Sequence, residues 1–206
     1  MVKSSTLDID KLSDRGLMIL NSAQELFFNQ GFDETSLEMI INKAGGSRRS
    51  IYNEFGDKQG LLMAVIQRQV TVQTEIFTTI DRALPPKEAL NQVCFEFVKG
   101  MLSPELMALF RLVVQQVVKF PQLGEMIYQK GPQAGILPLT EYLQYLAEQK
   151  VLAAEDYQFS AQMLIEMSKG PLHTRSLLLP NKVATEEEIK HQVVKAVDIF
   201  LNAHQC

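Results

Sequence analysis

Between Ser47 and Asn53 the chain reads Ser-Arg-Arg-Ser-Ile-Tyr-Asn, and every side chain except Ile51 carries a hydrogen-bond donor. Arginine pairs bidentately with guanine and asparagine with adenine, while serine and tyrosine hydroxyls suit phosphate oxygens. Enzymatic chemistry has no comparable foothold. The sequence holds no G-x-S-x-G, H-E-x-x-H, P-loop or dinucleotide fingerprint. His173, His191 and His204 form no constellation with Cys94 or Cys206, and no C-x-x-C pair or His–carboxylate cluster suggests a metal. No cofactor is expected.

For those donors to act together they must share one surface. Ile51 and Phe55 stand four apart, so on a helix both turn inward while Arg48, Arg49 and Tyr52 turn outward, with Ser50 and Asn53 on the flanks. Ser47 can cap that helix. Upstream, Thr35 or Ser36 can cap another, whose apolar face is Leu37, Ile40 and Ile41 and which Ala44 closes. Gly45-Gly46 lies between the two and permits a tight turn. Two short capped helices around a glycine turn outline a helix-turn-helix, and the second is of a width that a DNA major groove admits. Helix N-termini near Thr35, Ser47 and Lys58 aim backbone N–H groups at phosphates. Across residues 43–58, Lys43, Arg48, Arg49 and Lys58 oppose only Glu54 and Asp57. A solvated helix face has a similar charge; caps, glycines and face geometry together favour double-stranded DNA.

The rest of the chain also reads as helix, because apolar residues recur at three and four and no hairpin signal occurs. Leu17, Leu20, Ala23, Phe27 and Phe28 mark a first helix that Gly31 ends. A long helix is predicted from Lys58 to Leu84, with Leu62, Val65, Ile66, Gln69, Val72, Ile76 and Ile80 as its stripe, broken only by Gln69 and stopped by Pro85-Pro86. Further helices are expected at about 86–102, 104–119, 121–130, 133–149, 155–177 and 185–203. Pro104, Pro121 and Pro132 separate several of them, and Thr185 caps the last, with Glu186, Glu187 and Glu188 in its first turn. The fold class is all-α. Residues 1–58 form a three-helix DNA-binding domain and residues 59–206 a larger helical body.

Composition agrees with an ordinary globular chain: 206 residues, 46% hydrophobic, 21% charged. A net charge of −4 excludes a globally basic nucleic-acid coat but not a local patch. Two cysteines make no disulfide framework, which fits a reducing cytoplasm. No apolar run approaches the ~18 residues of a membrane span, and the first ten residues, with Lys3, Asp8 and Asp10, lack an apolar signal core. A cytoplasmic protein without membrane partners is expected.

The segment from about Arg15 to Val70 resembles the N-terminal domain of TetR/AcrR-family bacterial transcriptional regulators. The resemblance rests on Gly45, Gly46, Ser47, Ser50, Ile51, Tyr52, Phe55 and Lys58, with Ala23, Phe27, Gly31, Phe32, Thr35 and Ala44 upstream. Gly46 stands where valine is more usual, Arg49 where Gly or Ala is frequent, and Glu54 where the family has an aromatic or His. The resemblance implies that Thr35, Ser36, Tyr52 and Lys58 contact phosphates while Ser47, Arg48, Arg49, Ser50 and Asn53 approach bases. Glu54 accepts from a cytosine or aims elsewhere. Lys3, Ser4 and Ser5 are further phosphate candidates, although a non-binding tail is the simpler reading.

The C-terminal body resembles the family's effector-binding and dimerisation domain, with Phe110, Phe120-Pro121-Gln122-Leu123 and Gly131-Pro132 resembling one large subgroup. The resemblance implies a repressor released from operator DNA by a small hydrophobic or amphipathic effector. Candidate effector residues are Glu96, Phe97, Met107, Arg111, Gln115, Tyr128, Met167 and His173, each weighed against ordinary core packing. A homodimer is expected through helices at about 155–177 and 185–203, whose apolar candidates are Phe159, Met163, Ile165, Met167, Val193, Val197 and Phe200. The competing readings are a ligand-independent helical DNA-binding or interaction module and, further off, a helical enzyme.

Overall fold

A computed structural model describes residues 11–74, 80–129, 134–153 and 156–204. The candidates Lys3, Ser4, Ser5, Ile76, Gly131, Pro132 and Cys206 lie outside these, and the side chain of Val72 is not described. Among the described residues there are ten helices and no strand: α1 Asp14–Gln30, α2 Leu37–Ala44, α3 Arg48–Phe55, α4 Lys58–Thr74, α5 Pro86–Met101, α6 Pro104–Gln116, α7 Pro121–Tyr128, α8 Ala134–Glu148, α9 Tyr157–Leu178 and α10 Glu186–Ala203. None is long and apolar enough to cross a membrane.

Local chemistry sets the ends. Ser13, Ser36 and Ser47 each accept a backbone N–H from the first turn of α1, α2 and α3, and Gly31, Gly45 and Gly56 end those helices at positive φ. The long helix expected to Leu84 does not continue there. Residues 80–84 form a turn in which the Asp81 carboxylate accepts the Ala83 N–H at 2.8 Å. The apolar residues at its end, Ile80 and Leu84, pack on a core without being helical.

The chain divides into two compact units. One holds the residues up to Gln69 together with Arg111–Gly124; the other holds Val70–Phe110 and Glu125–Cys206. Residues 59–69 and 111–124 therefore group with the three N-terminal helices, beyond the division at residue 58 drawn from sequence. The core of the first unit includes Ile19, Leu20, Ala23, Phe27, Ile40, Ile51, Leu61, Leu62 and Val65. Leu17 stays exposed although it falls in the apolar period of α1. Gln69, the break in the α4 stripe, donates to Gln24 of α1, so its polarity is satisfied rather than buried alone.

In the second unit α5, α8, α9 and α10 surround an apolar core that includes Leu90, Val98, Leu139, Leu143, Leu164 and Val197. Cys94 lies fully inside it, and burial pushes its thiol up to about 12, so it is an inert apolar filler. α9 breaks at Gly170 (φ 43°, ψ −143°). Pro171 follows and has no N–H to give the Met167 carbonyl four residues back. Gln192 of α10 donates to that carbonyl instead, at 2.7 Å. A Cβ on Gly170 would meet the Gln192 amide nitrogen at 2.5 Å, so the glycine makes room for the repair.

α10 opens with a capping box in which Thr185 and Glu188 satisfy each other's backbone N–H groups. Glu188 also takes a bidentate pair from Arg175 at 2.7 and 2.8 Å. The Arg175 hydrogen bonds, then the Thr185 N–H, hold its carboxyl down to about 2. A depressed folded value means stabilisation that is complete above the ordinary 4.5 and is lost as pH falls through about 2. Thermal melts of the wild type between pH 5 and pH 2 are expected to show a falling midpoint, with a shallower fall in Glu188→Gln. Parallel slopes would exclude this contribution.

Candidate nucleic-acid interface

The proposed reading surface is helix α3, eight residues long. Ile51 and Phe55 are buried and fix its inner face, while Arg48, Arg49, Tyr52 and Asn53 are exposed; Tyr52 is 52% exposed. Ser47 is committed to capping: its hydroxyl accepts the Ser50 N–H at 3.3 Å and lies 3.3 Å from the Ser50 hydroxyl. Arg48 is ion-paired with Glu38 of α2. Arg49, Tyr52 and Asn53 present side chains that no partner among the described residues occupies. An exposed arginine, a phenol and an amide on one two-turn face can bind an anionic rail and base edges together.

Thr35 is placed differently from the expectation. It is 1% exposed, donates to the Gly31 carbonyl at 2.7 Å and accepts from Gln30 at 3.1 Å. It locks the turn, and its hydroxyl is engaged on both sides within the protein. Ser36 is the N-cap of α2 and is partly exposed, so its O–H remains free to donate outward. Lys58 is half-buried, with its ammonium 4.3 Å above the Phe32 ring and 3.5 Å from the Asp33 carbonyl oxygen. Burial lowers its pKa, and the Asp33 and Glu34 charges oppose that shift.

Glu54 is turned toward α1. Its carboxylate accepts from the backbone and hydroxyl of Ser13 at the start of α1, where the helix dipole favours a negative charge. Its oxygens sit against Gly16, where a Cβ would meet them at 2.2 Å. Arg15 carries no signal in the sequence pattern. It donates from Nη1 to the Ala44 carbonyl at 3.1 Å and lies across the glycine turn, 2.8 Å from where a Gly45 Cβ would be. Gly46 has φ 104°, which a β-branched residue adopts only with strain, so the glycine here suits a turn that valine would distort. Asp57 caps α4 by accepting the Gly60 N–H at 2.7 Å, and the Phe55 carbonyl leaves Gly60 no space for a side chain. Arg15 and Glu54 thus clamp the two ends of the turn-and-α3 segment to α1. Their signal lies in tertiary contacts, not in spacing.

The effector candidates are placed in both units. Met107 is buried in the core of the second unit, where Phe97 and Met167 pack against it. His173 meets Phe110 edge-on at 5.3 Å and its Nε2 is buried with no hydrogen-bond partner among the described residues; burial lowers its pKa, which favours the neutral ring. Glu96 and Tyr128 are exposed in that unit. Arg111, whose buried Nη1 has no partner among the described residues, and Gln115, exposed, belong to the first unit. Among the described residues no group of His, Cys, Asp or Glu is placed to hold a metal.

Gly46→Val is expected to lower the thermal midpoint of the first unit, because both φ and the Arg15 methylenes at 3.3 Å oppose it. Glu54→Gln is expected to cost about 1 kcal/mol, of the order of a lost helix cap, measurable by urea unfolding. Unfolding curves unchanged from wild type in both would refute the clamp.

Known proteins bear on this geometry. The family model for bacterial regulatory proteins of the tetR family matches residues 19–65, which include α2, the glycine turn and α3. The model for the C-terminal domain of AefR-like transcriptional repressors matches residues 88–206, more than half of the chain. The HTH-type transcriptional regulator AcrR of Shigella flexneri is 23% identical over 190 residues, covering 89% of this chain and 87% of that protein. YezE of Bacillus subtilis, an HTH-type transcriptional regulator, is 22% identical over 120 residues, 56% of this chain and 62% of its own length. A TetR-family regulator structure from Mesorhizobium loti superposes with a TM-score of 0.85 at 23% identity, covering 93% of this chain and 97% of that one, which shows the shared fold. With a tetR-type match over the helix-turn-helix and an AefR-like match over most of the remainder, the chain belongs to the TetR family of bacterial transcriptional regulators.

Proposed function

We propose that this protein is an operator-binding transcriptional repressor that reads double-stranded DNA with α3 and is released by a small-molecule effector. The observation that carries the reading is the pairing state of α3. Ile51 and Phe55 hold the helix inward, Arg48 is engaged by Glu38, and Arg49, Tyr52 and Asn53 face outward unengaged. Arg49 and Asn53 are the base-reading pair. Tyr52, Ser36 and the N-termini of α2 and α3 hold phosphates. Arg48 joins them on exchanging Glu38 for a phosphate, and Ser47 and Ser50 shape the N-terminus. Lys58 adds charge from beside Phe32.

The working form is a homodimer, since paired reading heads one helical turn of DNA apart, about 34–36 Å, match a two-fold operator. Of the residues expected at the dimer face, Ile165, Val193, Val197 and Phe200 are spent inside the second unit. Phe159 (56% exposed) and Met163 remain exposed on α9, and Ile199 (60% exposed) on α10. These three are the apolar centre of the proposed interface, with Glu166 of α9 and Lys195 of α10 as exposed charges of opposite sign.

The effector binds in the C-terminal body, which we assign to residues 59–206, with residues 1–58 as the reading domain. The buried His173 Nε2 beside Phe110, without a partner among the described residues, suits a ligand with an apolar body and a polar group. It acts by binding one conformation more tightly than the other.

Duplexes selected from random DNA by the full-length protein provide the test. Arg49→Ala and Tyr52→Ala are each expected to weaken the selected duplex by about tenfold or more, measured by fluorescence anisotropy at moderate salt. Arg49→Ala also relaxes the preferred sequence, whereas Tyr52→Ala weakens all duplexes alike. Wild-type affinity in both, or no enrichment of any sequence, overturns the proposal. Phe159→Glu is expected to shift the mass by light scattering from dimer to monomer; an unchanged mass moves the interface elsewhere.

A further inference from the structure

The turn that places the N-terminus of α2 is Gly31–Ser36, and a remote stretch of the chain grips it. α6 begins at Pro104, among residues of the second unit, and ends at Gln116, among residues of the first. Just past its end, Lys119 donates to the Asp33 carboxylate at 2.8 Å, and Gln116 donates to the same oxygen at 3.2 Å. The Lys119 hydrogen bond, then that of Gln116, lowers the Asp33 pKa, so the group stays ionised and holds both partners. Phe120 meets Phe32 edge-on at 5.7 Å, and Phe32 in turn packs on Phe27 of α1 at 5.4 Å. Gln116 is buried, and its carbonyl accepts the N–H groups of Lys119 and Phe120, which shapes the turn that presents them. The other side of the grip is equally tied: the Lys58 ammonium lies over Phe32, and the Thr35 hydroxyl holds the Gly31 carbonyl.

We propose that Asp33 is the receiving end of a regulatory latch, in which the Gln116–Phe120 turn holds the Gly31–Ser36 turn, and with it the first turn of α2, in the position that binds DNA. This rests on the operator reading above and names how that reading is controlled. A displacement of α6 withdraws Lys119 and Gln116 from Asp33 and unseats Phe120 from Phe32. Ser36 and the N–H groups it caps then lose their fixed place. The route to the reading head runs through the α1–α2 turn, three residues from the α2 N-cap, and does not need α3 to be touched.

Charge alone and a latch give opposite signs for one variant. Asp33→Asn makes the chain one unit more positive, so as a bare charge it tightens DNA binding. As a broken latch it weakens it. Lys119→Met makes the chain one unit more negative and weakens binding on either account. The latch therefore predicts that Asp33→Asn and Lys119→Met both weaken the selected duplex, by about three- to tenfold, of the order set by one exposed charge pair in each of two heads. The double variant is no weaker than either single variant. Lys119→Arg retains wild-type affinity. Hydrogen exchange on the full chain supplies a readout without DNA: amides 36–40 exchange faster in both single variants, while those of α9 and α10 do not change. Linkage is reciprocal, so saturating duplex slows amides 117–120 in the wild type and fails to do so in Asp33→Asn. Tighter or unchanged binding by Asp33→Asn, additive losses, unaltered exchange at 36–40, or amides 117–120 indifferent to duplex would each overturn the latch. If the wild type selects no duplex, the operator reading fails on that ground, and exchange at 36–40 still decides whether the two turns are coupled.

Discussion

An eight-residue helix does not hold itself together in water, because two turns cannot repay the cost of nucleation. Helix α3 exists because Ile51 and Phe55 are removed from solvent, each contributing about 1.5–3 kcal/mol of apolar burial. The same two residues settle which way the polar ones point. Every property proposed for the reading surface follows from that anchoring: the exposure of Arg49 and Tyr52, the cap at Ser47, and the approach of the α3 N-terminus to an anion. Helix α2 is equally short and is held by Ile40 and Ala44.

Electrostatics then decides which charges are available. Glu54 lies on the reading helix, where a carboxylate would repel phosphate, but Ser13 and the α1 N-terminus take it up. Glu38 engages Arg48 across the turn. These pairs turn Glu54 and Arg48 toward other elements and, among the described residues, leave the Arg49 guanidinium unengaged on the helix face. Exposed pairs of this sort are weak, on the order of 0–1 kcal/mol. Arg48 is therefore held loosely, as its proposed phosphate contact requires, whereas Glu54, held by two donors and packed on Gly16, has less freedom.

Much of this was legible in the sequence because it is local. Caps at Ser36, Ser47 and Thr185, stops at Gly31 and Gly45, and proline starts at Pro86, Pro104 and Pro121 are decided by a few neighbouring residues, and the helices begin and end there. The inward turn of Ile51 and Phe55 follows from a spacing of four. What pattern could not supply is the partner of each polar group. The threonine at position 35 and the serine at 36 look alike as caps, yet one is buried and the other is the cap. Glu54, Arg15 and Asp33 find partners 29 to 86 positions away, and no period encodes those pairings. The apolar stripe on α10 likewise could not say whether its residues faced their own chain or another, and Val193, Val197 and Phe200 face their own. Ile80 keeps the hydrophobic beat of α4 without being helical, since any residue that packs on a core satisfies the same pattern.

The break in α9 leaves a mark of a different kind. The kink is a three-part repair: a proline that withholds a donor, a glutamine on the next helix that supplies one, and a glycine small enough to let the amide in. None of the three is useful without the others. A lineage that lost Pro171 would restore a backbone N–H beside the break and ease the demand on Gln192. One that lost Gln192 first would leave the part-buried Met167 carbonyl without that donor. On this chemistry the proline is lost at less cost than the glutamine, and the three positions depend on one another although the first and the last stand 22 positions apart.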